Sequence, residues 1–103
     1  MKYVTIIIWE ADKAAALSKV LDQLATDPPQ GYRLLTDYVC LGQPASGFPV
    51  GAAVTILTSE AESAEAIASA NYPLMLAGGA INTVPVLDIP LAETVAVEKK
   101  YRS

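Results

Sequence analysis

Lys2-Tyr3-Val4-Thr5-Ile6-Ile7-Ile8-Trp9 is the stretch that decides the fold. Side chains alternate across a strand, so Val4, Ile6 and Ile8 share one side while Tyr3, Thr5, Ile7 and Trp9 share the other. Both sides are too apolar for a sheet edge, and the stretch reads as a central strand that needs two covers. A chain of 103 residues readily supplies one of them. The second side is where a partner and a ligand are expected.

Downstream, Glu10-Ala11-Asp12 breaks the strand, and Asp12 is the expected N-cap of a helix running to about residue 25. Leu17, Val20, Leu21 and Leu24 recur at helical spacing as one apolar stripe that Ala14 extends. Asp27-Pro28-Pro29 ends that helix, because neither proline has an N–H to continue it. Residues 32–41 are a second strand. Its sets are Leu34, Thr36, Tyr38, Cys40 and Leu35, Asp37, Val39, Leu41. Burying Asp37 under a helix would be costly, which tilts the second set outward. Residues 42–49, with two glycines and two prolines, form a hairpin loop, and 51–58 a third, also central strand.

Ser59-Glu60-Ala61-Glu62 matches a capping box. The helix after it is expected to turn Ala64, Ile67 and Ala68 inward and to falter near Asn71, since Pro73 disfavours helical geometry at Tyr72. Gly78-Gly79 stops the chain again. Residues 81–87 are a fourth strand, placed at an edge by Pro85, which lacks a ladder donor. Residues 91–101 suit a terminal helix better than a strand.

The order strand, helix, strand, strand, helix, strand is a split β-α-β unit used twice. With right-handed crossovers it gives a ferredoxin-like βαββαβ plait, one domain over residues 1–103, with strands one and three central. Both helices then lie on one face of an antiparallel sheet. Val4, Ile6 and Ile8 are expected beneath them, and Tyr3, Thr5, Ile7 and Trp9 on the bare face. Such a patch on a monomer is an association liability, so a homodimer closing sheet against sheet is expected.

Three short motifs carry a resemblance: Met1-Lys2-Tyr3 leading to Trp9, Pro28-Pro29-Gln30-Gly31, and Val84-Pro85-Val86-Leu87-Asp88. With them the chain resembles the dimeric α/β-barrel group of ferredoxin-like proteins, whose sheets pair face to face. Within that group it is similar to a family of short bacterial and archaeal domains of unknown function. The resemblance implies the fold and the dimer. Wider relatives include cofactor-independent monooxygenases, haem-degrading enzymes, muconolactone-isomerase-like enzymes and ligand-sensing regulators, many of which use a histidine.

This chain has no histidine, which removes the usual neutral-pH base and most catalytic zinc sets. A net charge of −4 and seven scattered basic residues leave no stripe for nucleic acid or an anionic membrane. Cys40 is the single cysteine, with no basic neighbour in sequence to activate it, so it reads as a buried small hydrophobe. The apolar run 6–9 ends at Glu10 without a cleavage site and is too short to span a bilayer, so a cytoplasmic location is expected. Glu60, Glu62 and Glu65 are read as helix-start acids, and the glycines of 42–51 as a hairpin, not a phosphate loop.

Trp9, Tyr3, Thr5 and Ile7 are therefore read first as dimer interface and second as the wall of a pocket for a flat apolar ligand. Asp37 and Tyr38 are the one carboxylate–phenol pair, but as strand neighbours they point to opposite faces. Asp37 is better read as a solvent-facing charge on an edge strand. The expected function is a non-catalytic homodimeric module binding a small apolar or aromatic molecule between the sheets, with no metal or cofactor. The alternatives are a cofactor-independent oxygenase or isomerase lined by Tyr3, Thr5, Trp9 and Asp37, and a subunit that regulates a larger complex.

Overall fold

The computed structural model describes residues 1–44 and 47–102. The part of the predicted 42–49 loop formed by Ala45 and Ser46 lies outside the described residues, as does Ser103. The elements are β1 (Lys2–Trp9), a 3₁₀ turn (Ala11–Lys13), α1 (Ala14–Thr26), β2 (Tyr32–Val39), β3 (Ala53–Ala61), α2 (Ala64–Leu76), β4 (Ala80–Pro85) and α3 (Thr94–Arg102). The four strands form one antiparallel sheet in the order β2-β3-β1-β4. This is the ferredoxin-like plait, with β1 and β3 central, β4 with Pro85 at an edge, and a helix at the C-terminal end.

The core lies on one face of the sheet. Leu17, Leu21 and Leu24 of α1 and Ala66, Ala70 and Leu74 of α2 pack there with Ile7 and Leu57. Leu57 and Leu74 are completely inaccessible, and burying a side chain of that size contributes about 1.5–3 kcal/mol. Small residues on α2 let it sit close to the strands. Its exit depends on Gly79, where a Cβ would stand 2.8 Å from Ile7 Cγ2 and 3.2 Å from the Leu74 carbonyl. Gly78 just before it has φ +107°, a conformation that side chains strain to adopt.

The face assignment of β1 is the reverse of the sequence expectation. Tyr3, Thr5, Ile7 and Trp9 point to the helices, with Thr5 and Ile7 fully buried and Tyr3 and Trp9 packed at the edge of the core. Val4, Ile6 and Ile8 point to the bare face. The physical reason is that hydroxyl and indole groups under the helices find partners. Thr5 Oγ1 and Thr83 Oγ1 lie 2.9 Å apart, Asn71 Nδ2 donates to Thr83 Oγ1 at 2.9 Å, and Trp9 Nε1 donates to Thr55 Oγ1 at 3.0 Å. A satisfied hydroxyl costs little to bury.

β2 corrects a second expectation. Pairing with β3 runs Tyr32 with Ala61, Arg33 with Glu60 and Leu34 with Ser59, then skips to Thr36 with Thr58 and Asp37 with Leu57. Leu35 is the extra residue of a β-bulge, and it inverts the alternation behind it. Tyr32 and Leu34 before the bulge, and Asp37 and Val39 after it, thus share the helix side, whereas strict alternation put Asp37 on the other; Asp37 is nonetheless exposed, as expected of a charge on an edge strand.

Three helix boundaries also differ. The 3₁₀ turn precedes α1, and no side chain caps either, so Asp12 is not an N-cap. Ser59 is not one either: it is paired with both Tyr3 and Leu34 inside β3, which runs to Ala61. The cap of α2 is Ser63, whose Oγ accepts from Ala66 N at 3.1 Å. That start turns Ala66, Ala70 and Leu74 inward where Ala64, Ile67 and Ala68 were expected, although Ile67 still touches the core. The helix continues through Pro73, because burial of Ala70 and Leu74 on either side offsets the lost backbone bond.

Candidate functional site

Between α1 and the sheet lies a cavity of about 180 Å³. The leucine stripe of α1 supplies its roof through Leu17 and Leu21, with Ala14 beside them. The sheet supplies the floor through Ile7, Trp9, Val39 and Thr55. Trp9 is fixed there, since Thr55, itself 2 % exposed, accepts the indole proton. Asp37 from β2 and Asp22 from α1 stand at the rim. Burial pushes the Asp37 carboxyl above its ordinary value, and the negative charge of Asp22 pushes it further in the same direction.

Of the residues singled out in the sequence, the cavity brings together Ile7, Trp9 and Asp37. Asp37 meets them only because the Leu35 bulge turns it to their side. Thr5 and Tyr3 lie on the same face of the sheet but do not line the cavity; Thr5 is committed to Thr83. Tyr38 points to the opposite face from Asp37, so the two form no proton-transfer pair. Asp22 and Thr55 were not singled out. Asp22 follows Leu21 in the apolar stripe and is legible as a residue at the border of that stripe; Thr55 has no signal beyond its place in a central strand.

A buried phenol sits elsewhere under the helices. Tyr32 is raised in pKa by burial, with Ser59 beside it acting weakly the other way. The two fall short of a full hydrogen bond, so Ser59 Oγ has no partner. Neither residue borders the Trp9 cavity. Among the described residues no three His, Cys, Asp or Glu side chains converge as a metal site requires, and no helix is long and apolar enough to cross a membrane.

The opposite face of the sheet forms a second candidate surface. Rows across it read Tyr38–Ile56–Ile6–Asn82 and Thr36–Thr58–Val4–Val84, with Val54–Ile8–Ala80 beside them. The core residues of α1 and α2 lie on the other side; on this one Val54 is itself buried, while Val4, Ile6, Ile8 and Ile56 are partly exposed. Arg33–Glu60 at 3.1 Å and Lys2–Asp88 at 2.8 Å border it at one end. The result is an apolar centre with a charged margin, the composition of a protein interface.

No family model and no curated protein matches the chain. Among solved structures it is similar to the periplasmic divalent cation tolerance protein CutA from Archaeoglobus fulgidus, at 11% identity over 96% of this chain and 97% of that one, with a TM-score of 0.39. A likeness at that level bears on neither activity nor ligand.

Proposed function

We propose that the protein is a non-catalytic, self-associating module of the dimeric α/β-barrel kind that holds a small, mostly apolar molecule. Two copies close bare face on bare face, and the ligand lies beneath α1 beside Trp9. The observation that carries this reading is the placement of the most apolar set of β1, Val4, Ile6 and Ile8, on the side away from α1 and α2, where the three stay partly exposed. A second copy seated there would take that apolar surface out of water. The ligand site moves from the space between sheets to the helix side, where the fixed indole and leucines form a wall. A cytoplasmic location, with the Cys40 thiol kept reduced, belongs to the same reading.

A cofactor-independent isomerase is the second reading. It is favoured by one observation, the Asp37 carboxyl held above its ordinary value at the cavity rim, where it could take a proton from an acidic C–H. Light scattering across the micromolar range tests the first reading: a particle of twice 10.8 kDa supports it, and 10.8 kDa at every concentration contradicts it. Turnover of an apolar keto or enol substrate, lost in Asp37→Asn, would instead establish the second.

A further inference from the structure

The C-terminal segment stands apart from the domain it follows. Val86 still pairs with β1, its N–H donating to the Lys2 carbonyl at 3.0 Å, and Asp88 holds the Lys2 side chain at 2.8 Å. Beyond that point no apolar residue enters the core or packs against it, and α3 has no buried residue. Apolar side chains nonetheless recur there. Leu87, Leu91, Val95 and Tyr101 are all exposed, Leu91 almost completely. Val97 and Tyr101, four residues apart, share one side of α3.

Two features leave this arm unfinished in a single copy. Lone helices below roughly 12–15 residues are marginal in water, and α3 has nine. β-Branched Thr94, Val95 and Val97 lower its helix preference further, and the exposed Glu98–Arg102 pair offsets little of that. Ala92, just before the helix, has φ +69°, a left-handed conformation that a residue with a side chain rarely adopts. Strain of this kind persists where packed surroundings impose it, yet Ala92 and both its neighbours are exposed.

Charge and position choose what completes it. Lys99, Lys100 and Arg102, three of the seven basic residues, lie in the last turn of α3, so the rest of the chain is more acidic than the net charge of −4. A second copy therefore offers that helix end a surface of opposite sign. The arm also starts at the border of the bare face, where Asp88 meets Lys2. A sheet packed on that face would lie about 10 Å away. Residues 87–93 span up to about 3.3 Å each when extended, enough to cross that gap.

Resting on the self-association proposed above, we infer that residues 87–102 are a clasp that crosses to the second copy and packs α3 against it. Leu91 and Tyr101 are the anchors, and the basic last turn lies on the partner's acidic surface. The bare faces join the two copies, and each arm then fastens one to the other.

Trypsin reads the clasp in the unaltered chain, because it cuts after Lys99 and Lys100. Cleavage there, followed by mass, is measured beside sedimentation velocity from nanomolar to high micromolar protein. The expected result is cleavage slowed on the order of tenfold as the dimer forms. Leu91→Ser with Tyr101→Ser should restore fast cleavage and weaken the dimer about tenfold, with the thermal melt of dilute protein unchanged. A dimer whose tail is cut as fast as that of the dilute chain would overturn the clasp and leave the self-association standing. A tail that resists trypsin equally in the dilute monomer would also overturn it, since α3 would then be packed on its own domain. A chain that stays monomeric throughout would overturn both.

Discussion

The two faces of the sheet reverse the usual relation between polarity and cover. Under the helices, β1 presents Tyr3, Thr5, Ile7 and Trp9, three of which carry a polar atom. On the bare side it presents Val4, Ile6 and Ile8, which carry none. On the covered face Thr5, Thr83 and Asn71 satisfy one another, as do Trp9 and Thr55, and the buried Ser59 hydroxyl is the exception. The bare face has no such network at its centre; Thr36 and Thr58 hydrogen-bond toward one side. The more apolar side of β1 faces away from the helices and their core, which is the ground for the proposed pairing of two copies. Helices on one side specify the fold; the apolar surface on the other is what the proposed assembly would cover.

Truncating the same side chain on the two faces separates them most widely. Ile7→Ala should cost about 2–5 kcal/mol in urea unfolding, because Ile7 is 1 % exposed and its neighbours are close-packed. Ile6→Ala should cost clearly less in dilute protein, with a loss that grows with chain concentration as association is weakened. Equal costs at all concentrations would erase the distinction between the faces.

Next in size is the hydroxyl network of the covered face. Thr83→Val keeps the shape but leaves the Asn71 amide without its acceptor and Thr5 without its partner, an expected loss of about 1–3 kcal/mol. A neutral or stabilising outcome would mean that the hydroxyls are passengers.

The smallest effect belongs to Asp37. Its carboxyl binds a proton more tightly in the folded chain than in the unfolded one, where the value is near 3.8. Stability from this group is therefore greatest below that value and falls as pH rises through the higher folded one, then stays level. Asp37→Asn should remove that fall and raise the melting temperature at neutral pH. The gain should be no more than about 1 kcal/mol, since solvent screens the rim. A lower melting temperature would place a cation partner at Asp37 in the free protein.

The architecture was legible because it depends on order and on coarse signals. Two central strands without polar alternation, Pro85 at an edge, Pro28-Pro29 and Gly78-Gly79 as stops are local features, and the topology follows from them. The faces were less legible. Periodicity says which residues of β1 share a side but not which side the helices take, and the apolar set looks like the core when hydroxyl partners from β3, β4 and α2 are out of view. Asp37 shows the same limit. One bulged residue, Leu35, reverses everything after it in β2, and a bulge leaves no mark in an alternation pattern already mixed. The start of α2 was misplaced because Ser59 and Ser63 are both plausible caps, and pairing with two neighbouring strands, not local preference, keeps Ser59 extended.

The central claim is that the bare face joins two copies. Sedimentation velocity of wild type beside Ile6→Lys, with far-UV circular dichroism on both, tests it most directly. The account predicts a dimer for wild type at micromolar concentration, and a folded monomer for Ile6→Lys with an unchanged spectrum. A wild-type monomer, or an Ile6→Lys chain that stays dimeric, would contradict it.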